Sequence, residues 1–284
     1  MDNEPESTRI CEIHNSVSRT SLRMAAKRAI ETERPDRLFE DPFAAQLAAS
    51  EIPTLLERWK KQDGDDAQLK AIRTRFVAVR TRFFDDFLMS VVSEVPQVVL
   101  LGAGMDTRAF RLPWPVGTQL YEVDRPEVIQ SKDSILKDTP AQCHRFAIAA
   151  DLRQPWYKLL VNQGYRADIP SIWLMEGLLM YLNQSQVKDL LKTITKLSVT
   201  GSYLGADLVS VKSLQVALQR DSLITQHWRF GTDEPEQLFA EHGWKASALQ
   251  PGDEGASFGR YTKPLPPRNV PGLRRSFFVT ATKI

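Results

Sequence analysis

Several things are scarce in this chain. Only two of its 284 residues are cysteine, Cys11 and Cys143, far apart and with no metal-ligand spacing. That argues against a disulfide framework and against a metal site, and makes a reducing cytoplasm the expected compartment. No apolar run approaches the roughly 20 residues that a bilayer crossing needs, so no membrane partner is expected. Neither charge is in real excess, since 37 basic residues stand against 35 acidic ones. Bulk electrostatics therefore gives no reason to expect a nucleic-acid partner. Met1 to Ser7 is polar and acidic, which does not read as a secretory signal. Internal repeats and low-complexity tracts are missing too.

What is present is ordinary for a globular protein with a sizeable core: 42% hydrophobic and 25% charged residues. The length suits one large domain, or a core with an attached lobe. The most informative stretch runs from Gln97 to Phe110. Val98 to Leu101 is a short apolar run that suits a strand buried on both faces of a parallel sheet. Gly102-Ala103-Gly104 follows, where the backbone can turn sharply and a ligand can approach it closely. A helix N-terminus should come next, with free N–H groups for a polar or anionic ligand. Such a loop fits a dinucleotide site, another nucleoside-cofactor site, or a tight turn without a ligand. The dinucleotide fingerprint fails at Thr107, where it needs a third glycine. Gln119 to Asp124 reads as a second strand, on which Glu122 and Asp124 alternate and share a face. A carboxylate at that strand's end is what a ribose diol needs.

Four segments occur in order: Leu101-Gly-Ala-Gly-Met-Asp-Thr-Arg108, Tyr121-Glu-Val-Asp-Arg-Pro126, Ala150-Asp-Leu152 and Met175-Glu-Gly-Leu-Leu-Met-Tyr181. Together they closely resemble S-adenosylmethionine-dependent methyltransferases of the leucine carboxyl methyltransferase and tetracenomycin polyketide O-methyltransferase family. The resemblance runs from about the second helix to the C-terminus. It implies an α/β fold, a class I methyltransferase-like doubly wound sheet of seven strands, with an N-terminal helical lobe and an inserted cap. The domain reading is a helical lid over residues 1–90 and a Rossmann-like core over 91–284, with the cap inserted at about 210–232. S-adenosyl-L-methionine is the implied cofactor. The resemblance assigns its binding to Gly102, Ala103, Gly104, Glu122 and Asp124. Asp151 and Leu152 would meet its adenine, and Glu176 its methionine part. An N-cap role for Asp151 is the competing reading.

In chain order, residues 1 to about 17 read as a loose tail. A helix is expected from Ser18 to before Pro35, and a second from Asp41-Pro42, holding Phe43, Leu47 and Ala48. Trp59 to Ala67 reads as a charged break. A long helix then runs from about Ala67 to Val92, with Leu69, Ile72, Phe76, Val79, Phe83 and Phe87 as one buried stripe. Arg73, Arg75, Arg80 and Arg82 flank it. For Arg73, Arg75 and Arg82 a solvated flank is the expectation. The resemblance places an arginine of this helix on the cofactor's carboxylate, with Arg80 the best match and Arg82 the runner-up; a fork-shaped cation suits that partner. Further strands are expected at Arg145–Ala150, Pro170–Glu176, Ser202–Val209, Lys245–Leu249 and Arg274–Lys283, the last in an antiparallel hairpin. Asn183 should cap a helix carrying Val187, Leu190, Leu191 and Ile194. Asp207 is either a buried polar group or a crevice residue. Val211 to Leu223 reads as helix, and Thr225 to Phe230 as an aromatic loop above the crevice.

The activity implied is methyl transfer to an oxygen of a small-molecule acceptor, a carboxylate first and a polyketide-type hydroxyl second. A carboxylate needs no base at neutral pH, whereas a hydroxyl does. Tyr181 and His227 are the candidate catalytic residues. Lid packing for Tyr181 and a structural role for His227 stand beside those readings. Three alternatives remain: a protein C-terminal carboxyl acceptor, a nicotinamide oxidoreductase and a non-catalytic cofactor-binding protein. Glu176-Gly-Leu-Leu lacks the Asn/Asp-Pro-Pro-aromatic motif of nucleic-acid amino methyltransferases. The sequence assigns no oligomeric state.

Overall fold

Seven segments with the expected apolar patterns become strands: β1 (Gln97–Leu101), β2 (Gln119–Asp124), β3 (His144–Ala149), β4 (Ser171–Met175), β5 (Tyr203–Val209), β6 (Trp244–Leu249) and β7 (Ser276–Lys283). This is a computed structural model, describing residues 6–63, 66–219, 225–262 and 265–284. The strands form one sheet in the order β3-β2-β1-β4-β5-β7-β6. β1 to β5 pair in parallel, and β7 runs antiparallel between β5 and β6. β1 and β4 are buried at all five positions, as central strands covered on both faces must be. Alternation then sends Val99 and Leu101 to one face and Val98 and Leu100 to the other.

Helices cover both faces. In chain order they are α1 (Glu6–Thr32), α2 (Ala44–Leu47), α3 (Glu51–Asp63), α4 (Ala67–Val91), α5 (Arg108–Arg111), α6 (Pro126–Ile135), α7 (Tyr157–Asn162), α8 (Gln184–Lys196), α9 (Val211–Leu218) and α10 (Pro235–Ala240). One face carries α7, α8 and α10, through Leu160, the Val187/Leu190/Leu191/Ile194 stripe and Phe239. The other carries α1 and α3 to α6, so the helices before β1 share one apolar cluster with the sheet. Among the described residues no helix is long and apolar enough to cross a membrane.

Four expectations are corrected. α1 begins at Glu6, not near Ser18, so only residues 1–5 of the expected tail lie outside the described residues. The charged break does not begin at Trp59: α3 continues through Asp63, with Leu55 and Trp59 buried and a Glu57–Lys61 pair one turn apart on its outer face. The second helix starts at Ala44 rather than at Pro42, with Phe43 and not Asp41 at its N-cap position, although the Asp41 carboxylate accepts the Ala44 N–H. On α4 the buried face is rotated from the expected stripe: Ile72 is 50% exposed, while Thr74, Arg80 and Asp85 are buried. The capping expected at Asn183 is present, as a reciprocal box with Gln186. The end of the expected 211–223 helix lies outside the described residues. Cys143 carries a free thiol; the side chain of Cys11 is not among those described.

Candidate functional site

The strand order reverses direction between β1 and β4, and a crevice opens there at the carboxyl ends of the strands, where open α/β sheets bind ligands. It holds a cavity of about 380 Å³. Gly102 and Gly104 form its floor, at φ +65° and +51°, in the left-handed region that favours glycine. A Cβ at Gly104 would stand 3.1 Å from Cβ of Ser21 on α1, and one at Gly102 would stand 3.0 Å from Leu178. The loop is anchored to β2: the Gly102 and Ala103 N–H groups donate to the Val123 carbonyl. Gly104 donates to Asp124 Oδ2 at 2.6 Å and Arg125 to Oδ1 at 2.7 Å. Burial pushes the Asp124 carboxyl above its ordinary value, and these two N–H groups counter part of the shift.

Asp151 and Leu152 line the next wall, just past β3, where Arg153 pairs with the Asp151 carboxylate. Glu122 does not join them. Two residues further down β2, it is fully buried, with Lys132 Nζ of α6 and Arg145 Nη2 of β3 each 2.7 Å from its Oε2. It is an internal counter-ion, and its assignment to the cofactor is corrected here. Alternation puts Glu122 and Asp124 on one face, but the cavity starts only at the strand's end.

The opposite wall is a dense ion cluster. Arg80 reaches the cavity from α4; its Nε lies 2.9 Å from Glu176 Oε1, and its Nη1 donates to Asp207 Oδ2 at 2.9 Å. Arg82 is elsewhere, half-exposed against Asp86 and the Leu38 carbonyl. Between the two arginines, Arg80 alone is at the cavity. Asp207 lies beneath it, accepting the Gly177 N–H at 2.5 Å, with its carboxyl pushed up by burial. Burial also acts on Glu176, but Arg108 and Arg80 outweigh it and hold that carboxyl below its ordinary value.

Tyr181 and His227 both line the cavity. Burial raises the Tyr181 phenol, so it stays protonated at neutral pH. Burial and the adjacent Arg229 charge lower the His227 imidazole, so it is neutral there. The loop bearing His227 is fixed by Arg229 and Phe230, whose N–H groups donate to the Met180 carbonyl. Arg229 lines the cavity, and among the described residues no ion pair engages its guanidinium. Sequence reasoning missed Arg229 and the whole α1 wall of Thr20, Ser21, Met24 and Arg28. A helix facing a ligand across a gap keeps the same periodicity as one facing a core, so the α1 pattern gave no sign of it.

Comparison with known proteins bears on the family and the fold. A model of the leucine carboxyl methyltransferase family matches residues 21–195. A protein of Parafrankia sp. (strain EAN1pec), named for S-adenosyl-L-methionine-dependent methyl transfer, is 36% identical over 278 residues, covering 94% of this chain and 87% of its own length. A Streptomyces coelicolor protein named for the same activity is 38% identical over 264 residues, covering 89% and 91%. Among solved structures, a DUF574 family protein from Streptomyces avermitilis aligns with a TM-score of 0.56 at 11% identity, over 92% of this chain and 97% of its own. A Thermobifida fusca protein named for methyl transfer aligns at 0.54 and 20% identity, over 91% and 94%. At such identities the likeness is one of fold.

Proposed function

This chain belongs to the leucine carboxyl methyltransferase family and is an S-adenosylmethionine-dependent methyltransferase; from that premise we propose that it methylates a carboxylate oxygen of a small molecule, giving a methyl ester. The cavity's chemistry fits the cofactor. The glycine floor leaves room that a Cβ would fill, and Asp124 stands at the end of β2 as an acceptor for hydroxyl groups. Glu176 lines the cavity with its carboxylate kept ionised by Arg80 and Arg108, and each carboxylate oxygen has a further lone pair that a ligand N–H can use. In our reading Asp124 takes the ribose, Asp151 and Leu152 the adenine, and Arg80 with Glu176 the amino-acid end.

When bound, S-adenosylmethionine supplies a methyl group made electrophilic by its sulfonium. The chain's own task is then to place the acceptor oxygen behind that methyl and to exclude water. The observation that carries the carboxylate reading is Arg229, an exposed residue at the cavity that no ion pair engages among the described residues, beside a neutral His227. An arginine fork suits a carboxylate, which is already ionised at neutral pH and needs no base. We assign α1 to α4 together with residues 210–219 and 225–232 as the cap over this acceptor. A net charge of +2 offers no field for a nucleic acid.

The first test is calorimetry with S-adenosylhomocysteine and, separately, NADH; only the former should bind. Carboxylic acids, their amides, phenols and a C-terminal peptide are then offered as acceptors with labelled cofactor. Small carboxylic acids should form base-labile methyl esters, and Arg229→Gln should raise their KM about tenfold with little change in kcat. Turnover of phenols alone, lost in His227→Ala, would replace the carboxylate by a hydroxyl. Turnover of the peptide alone would make the acceptor a protein.

A further inference from the structure

One buried cation beside the cavity has no part in that reaction. Arg108, the first residue of α5, is only 2% exposed, yet its guanidinium meets three carboxylates from three parts of the chain. Nε donates to Asp85 Oδ1 on α4 at 2.6 Å, Nη1 donates to Asp106 in the glycine loop, and Nη2 stands 2.8 Å from Glu176 Oε2 beyond β4. Nη2 also donates to the Thr81 carbonyl at 3.3 Å. Asp106 and Glu176 line the cavity; Asp85 does not. Behind them Asp85 is gripped by Arg111, at 2.7 and 2.8 Å.

Fold stability alone is a poor account of this arrangement. Removing charges from water costs so much that apolar residues of similar size commonly do as well. The fork's geometry accounts for it better. Its rear is fixed to α4, so its front sets where the Asp106 and Glu176 carboxylates stand. Glu176 is then held from both sides, with Arg80 at Oε1 and Arg108 at Oε2. A glutamate otherwise free to rotate about three bonds is fixed before any ligand arrives, which removes an ordering cost from binding.

We propose that Arg108 is a positioning residue for the amino-acid end of the cofactor, acting through Glu176 and Asp106 without touching the ligand. This rests on the reading that Glu176 meets that end, and the experiment separates the two. Calorimetry of the full chain compares S-adenosylhomocysteine with methylthioadenosine, which lacks the amino-acid part. Arg108→Lys keeps the charge but, as a point cation, cannot serve three carboxylates. It should weaken S-adenosylhomocysteine about tenfold and methylthioadenosine less than about twofold. In a Glu176→Gln background the same substitution should add clearly less than about tenfold, since the Glu176 route is cut and only that through Asp106 remains. Asp85→Asn, which loosens the fork from behind, should show the same selectivity more weakly. If Glu176→Gln itself weakens both ligands equally, the reading of Glu176 fails. If Glu176→Gln is selective but Arg108→Lys and Asp85→Asn are not, the proposal alone fails. Variants that lose both ligands or melt below the assay temperature would assign Arg108 to holding the fold, and overturn the proposal.

Discussion

At Asp106 two effects of opposite sign meet. Burial favours the neutral acid, but Arg108 and Lys132 outweigh it and hold the carboxyl at about 2, below its ordinary 3.8. A depressed carboxylate stabilises the fold above its unfolded pKa, and that stability is lost as pH falls through the folded value. The window here is from 3.8 down to about 2. Asp106→Asn should therefore cost on the order of 2 kcal/mol at neutral pH. It should also lose less stability than wild type across that window. Urea unfolding at stepped pH checks this; parallel curves for the two proteins would refute it. Legibility also divides at this scale. Asp124, Asp151, Leu152, Glu176, Tyr181 and His227 all line the cavity; the strand ends and loops that carry them are readable from short-range pattern, whereas the roles of Asp151, Leu152 and Glu176 came from the family resemblance. Glu122 does not, because strands rise about 3.3 Å per residue and two residues put it well below the rim. The partners that claim it, Lys132 and Arg145, come from other elements, which no local spacing reveals.

Among the elements, the glycine floor and α1 make the closest approach. Gly104 carries φ +51°, and an added Cβ would stand 3.1 Å from Cβ of Ser21. Gly104→Ala should destabilise the fold by about 1–2 kcal/mol through the left-handed backbone alone, and should also weaken S-adenosylhomocysteine. Adding Ser21→Gly should recover the steric part of the loss and leave the backbone part. Thermal melts and calorimetry on the three variants check this; a single variant with unaltered melting and affinity would contradict it. The strands and α8 were readable because their signals are local: apolar runs ended by turns, and Asn183 with Gln186. The outer end of α3 was not. Its charges look like a loop until Leu55 and Trp59 are seen against the cluster that α1 and α4 share. The tilt of the buried face of α4 was hidden for the same reason, since Arg80 and Asp85 are buried by ion partners far off in sequence.

For the whole molecule, the order β3-β2-β1-β4-β5-β7-β6 carries a consequence for how the chain comes to be folded. β7 is an interior strand, in register with seven residues of β5 and six of β6. During synthesis it is made after the other six strands of this sheet. Until residues 276–283 emerge, β5 and β6 have no shared neighbour, and each presents an unpaired edge to other chains. The nascent sheet thus passes through a stage with its cofactor side built and its last two strands still to be joined. Chains ending at residue 275 should collect in the pellet on centrifugation, whereas the full chain stays in the supernatant. A supernatant form of the shortened chain that still binds S-adenosylhomocysteine would show that the parallel half stands without its final strand. Otherwise, completion of this sheet waits on the emergence of residues 276–283, and the interval before it is when the protein most needs protection from its own copies.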